Sequence, residues 1–383
     1  MDFAFSEEQL LLERTLRQYA KAELLPSYHR WDRGEKFPRE KILELGRLGL
    51  LGLRIPERYG GQDAPFVSCG IASEELSRGD FNYAQFIQLT CIPAELLREK
   101  ASPELQAEWC PRLALGESVF SFGLTEPAVG SDAAKLVTRA VKQGDEYVIT
   151  GEKASITFAS YADACIVFAR TGESGSRGVS TFLVPLDRPG VTRQGYQSPG
   201  GRLTGCGSLF FDGTRIPARF RLGEEGEGFV NAMASFDYNR ALIALSCVGA
   251  AIQSLDETVE YTKTRQAFGR PLAKFEGVSF QVAEHLTMIE GARLLAYKCL
   301  WLKDQGLPHT RESAMSKWLG PKAAVDAIHA CLLLHGHYGY NQELPLEQRL
   351  RDVIGLEIGD GAPEIMKGLV AREVYGREFT PFR

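Results

Sequence analysis

The chain of 383 residues lacks the marks of several protein classes. Its eight cysteines, scattered from Cys69 to Cys331, contain no Cys-x-x-Cys pair, and its six histidines form no His-Glu-x-x-His or other zinc spacing. Such cysteines read as reduced structural thiols, so a cytoplasmic protein without a metal site is expected. There is no excess of basic residues: the net charge is -5 and the pI near 5.8, which argues against nucleic-acid binding. No apolar run approaches the length of a bilayer span, and the acidic start MDFAFSEEQ lacks the apolar core of a signal peptide. Membrane association is therefore not expected. The glycines from Gly200 to Gly207 do not follow G-x-G-x-x-G spacing and precede strand-like residues, which disfavours a Rossmann nicotinamide site. Short repeats and low-complexity segments are also missing.

What remains is an ordinary globular composition, 44% apolar and 24% charged, in a chain long enough for two or three domains. Residues 1–118 read as helical. Ser6 and Gln9 form a capping box, and Leu12, Leu16, Tyr19 and Ala20 recur at helical spacing until Pro26 ends or bends the element. Helices are expected over Glu40–Leu48, with Gly49 as the stop, and from Ser68 to Ser77. The apolar stretch Asn82–Leu97 is either a core helix or a pocket wall. Residues 119–225 change texture. Strand-like runs fall at Tyr147–Thr150, Ala164–Ala169, Ser180–Val184 and Ser208–Phe211, with hairpin-type turns at Gly144-Asp145 and Asp212-Gly213. Residues 226–383 return to long helical patterns, through Tyr261, over Phe275–Gln305 and over Thr310–Leu334, followed by a loop at His335–Gly339. The order predicts an α+β chain with a small sheet domain between two helical ones.

Two stretches carry chemistry. Near the C-terminus, Ile358-Gly359-Asp360-Gly361-Ala362 forms a buried-looking turn between two helices, the second starting at about Pro363. Glycines let backbone approach a ligand, a helix start offers free N–H groups, and an acid there is a candidate base. Asp-Gly is also simply a common turn. The second stretch, Gly123-Leu124-Thr125-Glu126-Pro127-Ala128-Val129-Gly130-Ser131-Asp132, opens the β region. It is either a set of short donors for a polar ligand or a solvated loop.

The second stretch resembles the first signature of the acyl-CoA dehydrogenase family. The resemblance extends over essentially the whole chain, through Phe5–Ala20, Pro56–Gly61, Glu74-Glu75-Leu76, Gly151–Thr157, Arg265–Gly269, the Gly336 loop, Arg351-Asp352 and Ala371-Arg372-Glu373. It implies an N-terminal helical domain (1–118), a middle β domain (119–225) and a C-terminal four-helix bundle (226–383), in a homotetramer that binds FAD. It also implies conversion of an acyl-CoA thioester to the α,β-enoyl-CoA. The base takes the α-proton, flavin N5 takes the β-hydride, and electrons pass to an electron-transferring flavoprotein. Asp360 stands at the position of the family's usual glutamate base, its N–H being part of the site for the thioester oxygen. By the same resemblance Phe122, Leu124, Thr125 and Thr157 contact the flavin. Ser131 stands near the CoA pyrophosphate, among both the cofactor and the substrate contacts, and Arg265 and Phe268 hold FAD across a subunit interface. Glu276, Gly336, His337, Ala362 and Glu364 stand at further FAD-contact positions. Asp237, Tyr238 and Arg240 fall where the family meets CoA, Gly361 is a substrate contact, and Thr90 and Cys91 in the wall formed by Phe86–Ile92 are either substrate contacts or buried neutral packing. For Arg265 the plain alternative is a solvated helix-end charge, and for Phe268 core packing.

Several positions depart from the family pattern. Aspartate sets the carboxylate roughly 1–1.5 Å further back than glutamate. Gly359 replaces an aromatic beside it, Ser155 replaces an aromatic that shields the flavin, and Asn239 stands where other members carry a base. An amide cannot accept the proton at neutral pH. The retracted acid and the missing ring point to a cyclic or α-branched acyl group of the cyclohexanecarboxyl-CoA type. A same-fold oxidase, a dehydrogenase of carrier-protein thioesters and a catalytically weakened binding or assembly protein remain the alternatives.

Overall fold

The computed structural model describes residues 4–34 and 37–379. The first three residues of the acidic N-terminal stretch and the last four of the C-terminal domain lie outside the described residues.

The N-terminal part contains α1 (Glu7–Tyr19), α2 (Tyr28–Asp32), α3 (Arg39–Arg47), α4 (Phe66–Gly79), α5 (Ala84–Lys100) and α6 (Pro103–Ala114). The capping box forms as read: the Gln9 N–H donates to Ser6 Oγ and the Ser6 N–H to Gln9 Oε1. Pro26 bends the chain, which runs from α1 through a π turn and a 3-10 turn before α2. Helix α5 is buried all round from Ala84 to Leu97, except that Leu89 is half-buried, as expected of a core helix.

The sheet comprises β1 (Phe120–Gly123), β2 (Arg139–Gln143), β3 (Glu146–Ile156), β4 (Ala164–Arg170), β5 (Val179–Pro185), β6 (Val191–Gly195), β7 (Gly207–Pro217) and β8 (Arg221–Leu222), in the order β6-β7-β3-β2-β4-β5-β8. Strand β1 adds to β4 in parallel, with Phe120 opposite Ala164 and Gly123 opposite Val167. Strand β5 is buried along its whole length and β4 up to Ala169, which is why their sequences run apolar without alternation. Gly144-Asp145 does close the β2–β3 hairpin. Asp212-Gly213 does not close one. It lies inside β7, where the register against β3 shifts between Ile149 and Gly151. Gly213, at φ +64°, absorbs the extra residue of a bulge rather than reversing the chain.

The C-terminal part contains α7 (Gly228–Thr264), the short hairpin β9 (Gln266–Ala267) and β10 (Arg270–Pro271), α8 (Glu276–Asp304), α9 (Thr310–Leu334), α10 (Leu346–Ile358) and α11 (Pro363–Tyr375). Helices α7, α8 and α9 pack on one another, and the fourth place of the bundle is shared by α10 and α11 on α9. By length and composition α7 would suffice to cross a membrane, contrary to the reading that no run approaches that length. Here it is the buried centre of the bundle, also packed against α4. Its hydroxyls at Ser246, Ser254 and Thr258 donate to carbonyls four residues back, so these polar residues interrupt the apolar run with their hydroxyls paired.

The three parts meet at α10. Arg351 makes a two-pronged ion pair with Asp32, at 3.1 and 2.8 Å. The neighbouring Asp352 accepts from the Gly201 N–H of the sheet domain at 2.7 Å and from Asn82 of the N-terminal domain at 3.1 Å. This junction sets the end of α10, and hence the turn at Asp360, against the sheet.

Candidate active site

A cavity of about 70 Å³ lies where the sheet, α5, α7 and the α10–α11 turn converge. Its walls are Leu89 and Ile92 of α5, Phe122, Leu124 and Thr125 at the end of β1, Ser155, Ile156 and Thr157 at the end of β3, Phe236 of α7, and Asp360. Asn82–Leu97 thus supplies both a core helix and a pocket wall. Neither the Thr125 nor the Thr157 hydroxyl bonds to another described group, so both are available to a polar ligand.

The loop after β1 is shaped by a buried ion pair that sequence reading did not single out. Lys153 on β3 is fully buried, and its ammonium donates to Glu126 Oε1 at 2.8 Å and to the Leu124 carbonyl at 3.1 Å. Glu126 also accepts from the N–H groups of Val137 and Thr138 at 2.6 and 2.9 Å. Burial pushes Lys153 down to about 8, against the pull of Glu126. Glu126 is held below the usual range: burial alone would raise it, but Lys153 and the donors at 137 and 138 outweigh that. A fully hydrogen-bonded pair of this kind fixes the backbone on either side of Thr125.

Asp360 sits in the left-handed region at φ +57°, a conformation that aspartate tolerates better than longer side chains do. Burial raises its pKa, opposed by a hydrogen bond from Asn239 and by the charges of Lys317 and Arg240. Asn239 Nδ2 donates to Asp360 Oδ2 at 2.7 Å, and Arg240 Nε donates to the Asp360 carbonyl at 3.0 Å. The Asp360 N–H meets no acceptor among the described residues. Gly361 is required by its backbone. Its φ is +128°, and an added Cβ would lie 2.4 Å from Met366 Cε. That accounts for this glycine without the substrate contact expected of it. Gly359 is different: at φ -56°, ψ 144° any residue is accommodated, and a Cβ there would meet only Leu356 Cδ2 at 3.5 Å and the Gly355 carbonyl at 3.7 Å. The turn is also less buried than its sequence implies, since Ile358 is 71% exposed.

The expected site residues therefore divide. Phe122, Leu124, Thr125, Thr157 and Asp360 come together around the cavity. Thr90 and Cys91 are buried in α5 beside Leu89 and Ile92 but do not line it, because the helix turns them into the core. Tyr238 is buried against Phe66, and Arg240 is buried on the Asp360 carbonyl and Asp237, so neither is presented at the surface where CoA was expected. Asp237 accepts from Thr310 at 2.7 Å. Ser131 is exposed and away from the cavity lining, as are Arg265, Glu276, Gly336, His337 and Glu364; Ala362 is half-buried. Phe268 is 95% exposed at the tip of the β9–β10 hairpin, with φ +49°, which excludes core packing. The contacts of Asn239 with Asp360 and of Lys317 with Gly361 are not signalled by any local pattern, since they are made across 121 and 44 residues.

The family profiles for acyl-CoA dehydrogenase match in chain order: the N-terminal domain over residues 6–117, the middle domain over 121–214 and the C-terminal domain over 226–375. The short-chain-specific acyl-CoA dehydrogenase of Clostridium acetobutylicum is 34% identical over 378 residues, 98% of this chain and 100% of that one. Butyryl-CoA dehydrogenase from Megasphaera elsdenii superposes with a TM-score of 0.94 at 31% identity, covering 98% of this chain and 100% of the other. A chain in a structure described as the electron-transferring flavoprotein of Acidaminococcus fermentans superposes with a TM-score of 0.95 at 32% identity, covering 98% and 99%. Helical, sheet and helical domains in this order, joined around one acid-bearing cavity and matched along their whole length, establish that the chain belongs to the acyl-CoA dehydrogenase family.

Proposed function

We propose that the chain dehydrogenates an acyl-CoA thioester across its α and β carbons, with Asp360 as the base, and that the acyl group is cyclic or branched at Cα, of the cyclohexanecarboxyl-CoA type. The carrying observation is a half-buried acid, fixed by Asn239, that edges the same cavity as two unpartnered threonine hydroxyls, where desolvation favours a stronger base. The residues present fit FAD: Thr125 and Thr157 can meet the polar edge of a flavin, and Phe122 and Leu124 its apolar face. When bound, FAD supplies the acceptor for the β-hydrogen and its electron pair. The chain's own groups do the rest. The free N–H of Asp360 can donate to the thioester oxygen and stabilise the charge that develops there. Asp360 accepts the α-proton, and the apolar walls from α5 and α7 limit its contact with water, which favours a basic carboxylate.

Gly359 supports the substrate class. Neither its backbone angles nor its neighbours demand glycine, so the open space at this position, next in sequence to Asp360, is compatible with a bulkier acyl group. The exposed Arg265, Phe268, Glu276, Gly336 and His337 support a second proposal, that the cofactor site is completed by another copy of the chain in a homotetramer. Phe280, Met288, Leu294 and Trp301 are large apolar groups exposed along α8, a face suited to burial in such an assembly. We take an electron-transferring flavoprotein as the electron acceptor, and, since all eight cysteines are free thiols, the cytoplasm as the compartment. One observation favours a second reading, a same-fold oxidase: Ser155 is exposed yet lines the cavity, leaving an opening for O₂.

The test is an anaerobic titration of the purified flavoprotein with straight, branched and alicyclic acyl-CoAs, followed by mass analysis of the product. Bleaching of the flavin by the alicyclic class with an enoyl-CoA product is expected. Bleaching by straight chains only would overturn the substrate proposal. Rapid O₂ consumption with peroxide release would favour the oxidase.

A further inference from the structure

Asp360 is held by side chains that its role as a base does not by itself require. We infer that Asn239 and Lys317 are positioning residues for Asp360, the amide fixing the carboxylate against α7 and the ammonium fixing the turn that carries it. The inference rests on the reading of Asp360 as the base.

Asn239 is 2% exposed and donates to one carboxylate oxygen, while its own Oδ1 has no partner. A buried amide with its acceptor unmet is an unfavourable choice for packing alone. It is well suited to holding Oδ2 while the other carboxylate oxygen, without a protein partner among the described residues, is left to take a proton. Lys317 on α9 is 1% exposed and makes no ion pair within salt-bridge distance among the described residues. Its ammonium donates to the carbonyls of Leu356 at 2.6 Å, Glu357 at 3.5 Å and Gly361 at 3.1 Å. These acceptors bracket Asp360, from the last turn of α10 to the residue that follows the acid. Arg240 grips the Asp360 carbonyl between them. A residue at φ +57° is thereby held on both sides. The grip matters more for aspartate than for glutamate, because the shorter side chain has one torsion fewer with which to correct a misplaced backbone.

The charged groups around the acid are Lys317 from α9, Arg240 and Asp237 from α7, and Glu357 from α10. The amide and the two cations favour the ionised carboxylate, so removing either positioning residue makes Asp360 harder to ionise.

Asn239→Ala is expected to retain flavin and a melting temperature close to the parent, and Lys317→Met, which leaves three carbonyls without their donor, to retain flavin but melt lower. Flavin reduction by acyl-CoA should fall about 10- to 100-fold, the scale of an error of about 1 Å in a reacting group. The acid limb of the rate profile should move up by about one pH unit. Infrared titration of the carboxylate without substrate should show the same displacement, in a band absent from Asp360→Ala. Lys317→Arg should keep more activity than Lys317→Met. Parent rates and an unshifted acid limb in both variants would overturn the inference, as would a loss equal at every pH in a destabilised protein. If Lys317→Met does not fold, Asn239→Ala decides. An active Asp360→Ala would instead remove the base assignment itself, which keeps the two failures distinct.

Discussion

Replacing Gly359 by phenylalanine separates space from chemistry. The backbone at φ -56°, ψ 144° accepts any side chain, and the first added carbon meets nothing closer than 3.5 Å. The variant should therefore fold with a stability change within about 0.5 kcal/mol, as for substitutions that create no cavity, clash or buried charge. If the space at Gly359 is the room the acyl group uses, a ring there would fill it, and the enclosed space at the neighbouring acid is only about 70 Å³. An alicyclic acyl group that used this space should lose at least about 100-fold in kcat/KM, equivalent to about 2.7 kcal/mol of transition-state stabilisation. Butyryl-CoA, which does not need it, should change by less than about threefold, within about 0.7 kcal/mol. The assay is kcat/KM for both thioesters on parent and variant, at matched flavin content. Equal losses on the two substrates, or no loss on the alicyclic one, would refute the argument that Gly359 is there to make room.

Further consequences are open to measurement. Glu126→Gln leaves the Lys153 ammonium buried without its counter-charge, which should cost about 3–5 kcal/mol in denaturant unfolding and weaken flavin binding at Thr125; an unchanged midpoint would contradict the role given to the pair. Burial raises Asp352 to about 7 and Asp80 to about 6, so between pH 4 and 7 the native state binds more protons than the unfolded chain and stability falls as pH rises through that window. Asp352→Asn should flatten this slope, and an unaltered slope would show that the junction is not its source. Phe268→Asp changes a residue that is 95% exposed, so the fold should survive while flavin retention drops; full flavin content would argue against completion of the site by a neighbouring copy.

The architecture was largely legible because it follows from local signals. The Thr310–Leu334 helix was read to the residue, and the capping box at Ser6 formed as drawn. Asp212-Gly213 misled because a turn and a bulge both use glycine in the left-handed region, and only the partner strand distinguishes them. In the site, Thr125, Thr157 and Asp360 lie in short motifs that stand out in the sequence, and the structure places all three at one cavity. The contacts of Asn239, of Lys317 and within the closed Lys153–Glu126 pair do not stand out, since they join segments far apart in sequence and depend on burial that no local pattern encodes. Arg240 is a CoA contact by family resemblance, whereas here it is buried with its Nε on the Asp360 carbonyl, a contact across 120 residues that no local pattern encodes.

The central claim is that Asp360 takes the α-proton. It is tested most directly by stopped-flow reduction of the flavin by acyl-CoA in the parent and in Asp360→Ala, with flavin content and melting temperature measured on the same samples. The account predicts a variant that stays yellow and folded and is reduced at least about 1,000-fold more slowly, in keeping with the about 10²–10⁴-fold contribution of a positioned base. Reduction at the parent rate would contradict it.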